Sequence, residues 1–271
     1  MALTVFGVAI FGLLVGSYLN VYILRLHTGK STTGRSGCMS CGSQLTWKEL
    51  VPVVSYFALR GRCRRCGSAI SKQYWMVELT TALLFVLVWV QGLTIITTLI
   101  ALAMVSVLVI IAVYDIRHTI IPNQVVYIFL ILAVLAYGTS TGFIMPQSLW
   151  SYHLLTIIYS ALGTASPLFV LWFISKGAWM GFGDVKLTLG FGAALGLYQG
   201  VMAIMLGFVL GAIVGVTIMY APKVINSLHL RGDAKHITMK SEVPFAPFLI
   251  TGFLLVFLFN FDLVVLFETL L

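Results

Sequence analysis

Apolar runs of roughly membrane-spanning length recur along this chain and are separated by short polar segments. The chain is 60% hydrophobic and only 9% charged, whereas about a quarter of the residues in a soluble domain are charged. Because a helix needs about 20 apolar residues to cross the hydrocarbon core, the sequence predicts an all-α polytopic membrane protein with about eight transmembrane helices. The predicted spans are Leu3–Leu24, Trp75–Val90, Leu93–Tyr114, Val125–Tyr137, Leu149–Ile174, Val185–Leu197, Val201–Tyr220 and Phe245–Phe261.

The basic residues all lie on one side of these predicted spans. When the spans are threaded alternately through a bilayer, all 16 Lys and Arg residues fall in segments on the same side. The positive-inside rule makes that side cytoplasmic and both termini external. Since Met1–Leu24 has no basic residue before its apolar run, we expect no cleavable signal peptide. The cytoplasmic segments are Arg25–Lys72, Asp115–Asn123, Ser175–Lys186 and Pro222–Glu242.

The net charge of +8 indicates a membrane surface rather than a nucleic acid as the partner. The basic residues are concentrated between Arg25 and Lys72, where Glu49 is the single acid. A basic face beside apolar spans is typical of binding to anionic lipid head groups. We therefore expect contact with membrane lipid and no nucleic-acid binding.

Two acids stand where an apolar run meets a polar turn. Asp115 follows the third predicted span, and Asp184 lies in the sequence Gly-Phe-Gly-Asp-Val-Lys at 181–186. An acid near membrane depth is costly and is a functional-site hypothesis by default. Two carboxylates that share one proton form the catalytic centre of aspartic proteases. The alternative for Asp184 is a cap on the helix that follows. The topology places both acids at one face, which permits their contact without requiring it.

The residues beside Asp184 are candidates for a supporting role. Gly181 and Gly183 would let backbone approach the acid closely, or would simply form the turn. Lys186 would stabilise a carboxylate or hold a substrate carbonyl, although snorkelling to the interface is the more ordinary role. The metalloprotease signature HExxH is absent from the sequence.

Four cysteines form two Cys-x-x-Cys pairs, each followed by glycine. Two such pairs at this separation predict a tetrahedral zinc site, closed and structural because the protein supplies all four ligands. A redox dithiol or two disulfides are the alternative, which a reducing cytoplasm disfavours. The predicted Zn²⁺ ligands are Cys38, Cys41, Cys63 and Cys66.

Glycines spaced by four residues occur in two neighbouring spans. Such spacing allows helices in a membrane to approach closely. Because the pattern occurs twice, the two spans themselves are candidates for packing on each other. The two sets are Gly192, Gly196 and Gly200, and Gly207, Gly211 and Gly215.

Taken together, these motifs resemble the bacterial type IV prepilin peptidases, the leader peptidase/N-methyltransferase family. The GxGD sequence at 181–184 is also similar to the wider group of GxGD intramembrane aspartyl proteases. The resemblance implies that Asp115 and Asp184 are the catalytic pair. The matching segments are Gly16–Val21 with Arg25, both cysteine pairs, Leu50–Tyr56, Arg60–Cys63, Val77–Ala82, Asp115 with Ile121-Pro122, and Gly181–Leu187.

The resemblance also implies substrates, a cofactor and a division of the chain. It implies cleavage of the basic leader of type IV prepilins or pseudopilins, followed by N-methylation with S-adenosylmethionine. Arg25 and Glu78 are the candidates for the methyl-donor site. The implied parts are a first helix (1–24), a cytoplasmic zinc-binding and methyltransferase segment (25–76) and a peptidase domain (77–271). Ala246 and Asn123 depart from the family pattern, and neither is expected to touch the catalytic pair.

Three rival functions remain open at this point. A proton- or cation-coupled transporter would use the same acids, but it predicts acids near mid-span and internal repeats. A membrane scaffold that docks partners on the zinc segment would not need either aspartate. A peptidase without methyltransferase activity differs only in its product.

Overall fold

A computed structural model describes residues 2–28, 31, 34–140, 150–227, 244–259 and 261, and most of these residues are helical. A short 3₁₀ helix, Trp47–Leu50, and two isolated β-bridges lie between the first two long helices. The α-helices in chain order are α1 (Ala2–Arg25), α2 (Val54–Ala58), α3 (Gln73–Val90), α4 (Ile95–His118), α5 (Asn123–Ser140), α6 (Trp150–Ser175), α7 (Phe182–Leu195), α8 (Leu197–Ser227) and α9 (Ala246–Phe259).

Each predicted span overlaps one of these helices, which confirms the all-α membrane architecture. By length and composition, five helices of the described chain are able to cross a bilayer, namely α1, α3, α4 and most of α6 and α8. The apolar stretches Asn123–Thr139 of α5 and Ala246–Phe259 of α9 are shorter, and α7 has 14 residues. The count of eight spans therefore stays a prediction. The predicted segment Pro222–Glu242 begins inside α8 and otherwise lies outside the described residues.

The chain divides into two compact units, residues 1–113 and 114–271, and α4 runs from the first into the second. In the first unit α1 packs along α3. A Cβ added to Gly12 would lie 2.6 Å from Ala82 Cα, and one added to Gly16 would lie 2.7 Å from Glu78 Cα. Neither position has room for a side chain, so this pair of glycines sets the close approach of α1 and α3.

In the second unit α7 is the central helix and contacts α5, α6, α8 and α9. Its Phe191 stacks on Phe253 of α9 with ring centroids 4.6 Å apart and meets Phe129 of α5 edge-on at 6.0 Å. All three rings are fully buried. A Cβ at Gly190 would overlap the Phe129 ring. This packing fixes α7, and with it the N-terminal turn that carries Asp184.

The predicted glycine contacts are found at three of the six positions. Gly192 and Gly200 both approach Thr164 of α6, and they also lie against each other, so α7 and α8 do pack together. Gly207 instead meets Leu249 of α9, where a Cβ would lie 2.9 Å from the Leu249 Cα. The second set of glycines thus packs on α9 and not on the first set.

Candidate active site and metal centre

Asp115 lies in the last turn of α4 and is only 5% exposed. Its Oδ2 accepts a hydrogen bond from the backbone N–H of Ala246 at 3.2 Å. Ala246 is the first residue of α9, and N–H groups in a first helical turn have no partner within their own helix. The helix N-terminus also favours a negative charge. The start of α9 therefore holds the Asp115 carboxylate in place.

Asp184 is the third residue of α7 and is likewise 5% exposed. The alternative in which Asp184 is the N-cap is wrong, because Gly181 occupies that position with φ −74° and ψ 149°. The Asp184 carboxylate instead reaches back to the N–H of Gly181. Its Oδ1 is buried and has no hydrogen-bond partner within the described part of the chain. One oxygen of Asp184 is thus held by a backbone donor, and the other has no partner among the described residues.

The fold brings the two acids together. The charge of Asp115 acts on the Asp184 carboxyl group. Both side chains belong to the second unit, where α4, α7 and α9 supply the residues around them. A buried pair of carboxyl groups, each with a backbone N–H donor, is the arrangement that acid–base hydrolysis requires.

Gly183 sets the distance between α7 and the connection from α4 to α5. A Cβ at Gly183 would lie 2.9 Å from the Cβ of Ile121. Lys186, one turn further along α7, donates a hydrogen bond from Nζ to Asn123 Oδ1 at 2.9 Å. Its ammonium also lies 5.1 Å from the centroid of the Phe182 ring. Gly183 and Lys186 therefore join the two acid-bearing segments, and no described contact pairs Lys186 with Asp184.

The prediction that the two departures from the family pattern lie away from the acid pair is wrong for Ala246. Its N–H is the donor to Asp115, and any residue except proline would supply the same group. Asn123 accepts a hydrogen bond from Lys186 and has no described contact with either acid. The Ala246 contact has no signal in the sequence, because a backbone donor leaves no pattern in the residue types.

The four cysteines form one cluster in the first unit. Their sulfur atoms all lie within 4.8 Å of one another, and all four thiols are free. Cys38 Sγ and Cys66 Sγ, one from each pair, are 3.9 Å apart. Tetrahedral coordination with Zn–S bonds of about 2.3 Å requires S···S distances of about 3.8 Å. The cluster is therefore able to bind a metal ion and has dimensions that fit zinc.

Each cysteine pair forms its own turn, and the two turns have the same hydrogen bonds. In the first, Gly42 N–H donates to Cys38 O at 2.9 Å; in the second, Gly67 N–H donates to Cys63 O at 2.9 Å. Both glycines have a φ near +70°, a value that favours glycine. Backbone donors from Cys41 and Ser40 lower the pKa of the Cys38 thiol to about 6. Such N–H groups stabilise the thiolate form that binds metals.

The two candidates for the methyl-donor site each hold a backbone group. Arg25 Nη1 donates to Ser31 O at 2.6 Å. Glu78 is 5% exposed, and its Oε2 accepts the N–H of Val53 at 2.7 Å. No described contact joins Arg25 with Glu78. The structure therefore does not combine them into one site among the residues it describes.

Comparison with known proteins defines the class. The family described as the bacterial peptidase A24 N-terminal domain matches residues 10–92, and the type IV leader peptidase family matches residues 102–216. The chain belongs to the type IV leader peptidase family. With its apolar helices, this makes it a multi-pass protein of the inner membrane.

Individual relatives carry the name prepilin leader peptidase/N-methyltransferase. The Myxococcus xanthus protein is 33% identical over 246 residues, which cover 86% of this chain and 70% of the relative. The Bacillus subtilis protein is 30% identical over 252 residues, covering 93% and 92%. The Pseudomonas aeruginosa protein is 29% identical over 269 residues, covering 88% and 84%. No solved structure matches the chain.

Proposed function

We propose that the protein is a membrane aspartyl endopeptidase that removes the leader of type IV prepilins or pseudopilins and N-methylates the new N-terminal residue. The observation that carries the peptidase part is the buried pair of Asp115 and Asp184 in the second unit. Family membership supports both activities, since the relatives are named for peptidase and N-methyltransferase together.

In the proposed mechanism the two carboxyl groups share one proton. One carboxylate takes a proton from the attacking water, and the other carboxyl group donates a proton to the scissile carbonyl. The N–H groups of Ala246 and Gly181 orient the two side chains. The buried Oδ1 of Asp184, which has no partner in the described chain, is the atom best placed to contact water or substrate.

The substrate side of the proposal follows from topology. A prepilin whose basic leader precedes an apolar helix would place its cleavage site at the cytoplasmic interface, where both acids are predicted to lie. We propose that this face is cytoplasmic, that both termini are external, and that the basic face binds anionic lipid and no nucleic acid. The transporter alternative has no support in the family.

The metal and the methyl donor enter the proposal separately. Cys38, Cys41, Cys63 and Cys66 would hold structural Zn²⁺, which would stabilise a polar segment without a core of its own. S-adenosylmethionine would supply the methyl group, as the relatives' name implies. Since Arg25 and Glu78 already hold backbone groups, their part in donor binding would be indirect, through the segments they position. The division of the chain at residues 24 and 76 belongs to the same proposal.

Mass spectrometry of a prepilin-like substrate tests the proposal. The purified protein with S-adenosylmethionine should remove the leader and add one methyl group. Asp184→Asn should do neither to intact substrate, but it should still methylate a pre-cleaved one. Glu49→Gln, the same acid-to-amide change in the first unit, should retain cleavage. Cleavage by Asp184→Asn would refute the acid pair, and leader loss without methylation would leave a peptidase alone.

A further inference from the structure

The stretch Trp47–Ala58 shares an apolar groove with the middle of α1 and not with its end. Ile10 and Leu14 of α1 line an apolar groove of about 450 Å³, and Trp47 and Val54 form its opposite wall. At about 1.5 Å per residue, Leu14 and Ile10 lie about 16 and 22 Å along α1 from Arg25. The hydrocarbon core that α1 crosses is about 30 Å thick. A segment that shares a groove with α1 at this level must lie below the membrane surface.

The exposed side chains of this stretch are those of a lipid-facing element. Trp47, Val54 and Phe57 are 73%, 63% and 60% exposed. The 3₁₀ helix places Trp47 and Leu50, three residues apart, on the same side. The outer face of α1 is also apolar and exposed at Ile10 and Leu14. The two exposed apolar surfaces are therefore continuous with a membrane-spanning helix, and acyl chains are the medium that surrounds such a helix.

The two charged residues of the stretch, Lys48 and Glu49, have interactions with neighbouring residues that lower the cost of placing them below the membrane surface. The carboxylate of Glu49 accepts hydrogen bonds from the N–H and the hydroxyl group of Thr46, at 2.7 and 2.8 Å. Lys48 Nζ lies 5.5 Å from the centroid of the Trp47 ring. A long lysine side chain can also extend its ammonium group toward the head groups.

The turn after the 3₁₀ helix is strained. Val53 has φ 60° and ψ −54°, and the N–H of Val54 donates to Pro52 O at 2.6 Å. This is a γ-turn of the rare positive-φ kind, and a β-branched residue with positive φ is a genuine outlier. Such strain persists only where the surroundings over-determine it, and it concentrates at functional sites.

Glu78 supplies the hydrogen-bond acceptor that the backbone of a turn at membrane depth requires. Non-helical backbone within the bilayer must have its polar groups satisfied by protein. The N–H of Val53 donates to Glu78 Oε2 at 2.7 Å, and Glu78 is itself buried on α3. Gly16 of α1 packs directly on the Glu78 backbone. The acid is therefore built into the contact between α1 and α3, at the point where the turn meets it.

We propose that Trp47–Ala58 is a re-entrant segment immersed in the bilayer leaflet beside α1, with lipid acyl chains in the groove. In this arrangement Glu78 is a positioning residue that accepts the Val53 N–H and holds the turn at depth. The cysteine cluster stays outside the hydrocarbon. The segment between α1 and α3 is thus only partly aqueous, and this assignment does not depend on the proposed enzymatic activities.

Fluorescence quenching in the full-length protein tests the immersion. The protein is reconstituted in bilayers of phosphatidylcholine and phosphatidylglycerol, and the Trp47 signal is obtained by subtracting the spectrum of Trp47→Phe. Trp179, which is 72% exposed in the turn between α6 and α7, provides a matched control through Trp179→Phe. Lipids brominated on their acyl chains should quench most of the Trp47 emission, and aqueous iodide should quench Trp179 more strongly. Iodide quenching of Trp47 without quenching by brominated lipid would overturn the proposal.

Two further variants test the role of Glu78. Glu78→Gln keeps an acceptor oxygen for the Val53 N–H, and Glu78→Ala removes it. Trp47 should become accessible to iodide in Glu78→Ala and stay shielded in Glu78→Gln. Unchanged quenching in Glu78→Ala would refute the positioning role.

Photocrosslinking tests the immersion without any change at Glu78. A benzophenone amino acid replaces Phe57, and in a matched control it replaces Met39, which is 71% exposed in the first cysteine turn. Irradiation should join position 57 to phospholipid and leave position 39 free of it. Equal lipid labelling at the two positions, or none at 57, would contradict the proposal.

Discussion

Gly183→Ala should separate the two acid-bearing segments by a distance that the structure defines. The added Cβ would lie 2.9 Å from Ile121 Cβ and 3.1 Å from Ile121 Cδ1. Ordinary carbon–carbon contacts are about 3.5–4.0 Å, so α7 and the connection that carries Ile121 must move apart by about 1 Å. The backbone fixes the position of the Ile121 Cβ, so a change of side-chain rotamer cannot relieve this contact. The shift therefore passes to Asp184, which is the next residue.

We expect Gly183→Ala to raise the activation barrier of cleavage by more than it lowers the free energy of unfolding. Overpacking costs about 1–3 kcal/mol, and replacing glycine in a helix returns up to about 1 kcal/mol. We expect a net loss of about 1–2 kcal/mol in the free energy of unfolding. A misplacement of about 1 Å at a catalytic group lowers the rate by about 10²-fold, which corresponds to about 2.7 kcal/mol on the barrier.

Initial rates of leader removal, measured in bilayers with a prepilin-like substrate, test this prediction beside thermal unfolding. Gly215→Ala is the matched control, because it makes the same change in α8 where a Cβ meets nothing within 4 Å. That variant should cleave at the normal rate. If Gly183→Ala cleaved within a few-fold of the unmodified protein, the Gly183–Ile121 contact would not set the geometry of the acid pair.

Three further predictions concern the acids, the metal and the helix contact. Asp115→Asn and Asp184→Asn should each reduce leader cleavage by at least about 10²-fold, because each removes a group needed for proton transfer; near-normal cleavage by either, with normal membrane insertion, would exclude the pair. Cys63→Ser should lower the zinc content of the purified protein, measured by elemental mass spectrometry, because one of four ligands is lost; an unchanged metal-to-protein ratio would count against the site. Gly16→Ala should lower the free energy of unfolding by about 1–3 kcal/mol, since its Cβ meets backbone. Gly7→Ala, in the same helix with nothing within 4 Å, should not, and equal effects of the two would contradict the packing argument.

The sequence predicted the features that depend on short stretches of chain. The spacing of the cysteine pairs and their following glycines defines two local turns, so the cluster was predictable once both were recognised. The positions of Asp115 and Asp184 at the ends of apolar runs were equally visible. Their contact was not, because it depends on how α7 packs among its neighbours, around rings such as Phe191.

Two other features, the hydrogen bond from Ala246 to Asp115 and the turn at Val53, could not be predicted from residue types. The close packing of α1 could have been predicted but was not. The hydrogen bond from Ala246 to Asp115 joins residues 131 apart and uses a backbone donor. The turn at Val53 was hidden for a related reason, since valine is the residue least expected at positive φ. Gly12 and Gly16, however, have the four-residue spacing that signals close helix packing. The close contact of α1 with α3 therefore has the same signal in the sequence as the glycine spacing in the later spans.

The positions of the two cysteine turns determine the order in which the first unit can assemble. Cys41 and Cys63 stand on either side of the immersed stretch Trp47–Ala58. Each turn is closed by its own short-range hydrogen bonds, and contacts of low sequence separation form fastest. A metal ion bound by all four cysteines would join the two turns and close the loop between them, so the entropy of closure would be lost before the strained γ-turn forms. Zinc would therefore act on the kinetics of folding as much as on stability, with the apolar turn entering the leaflet as the last step.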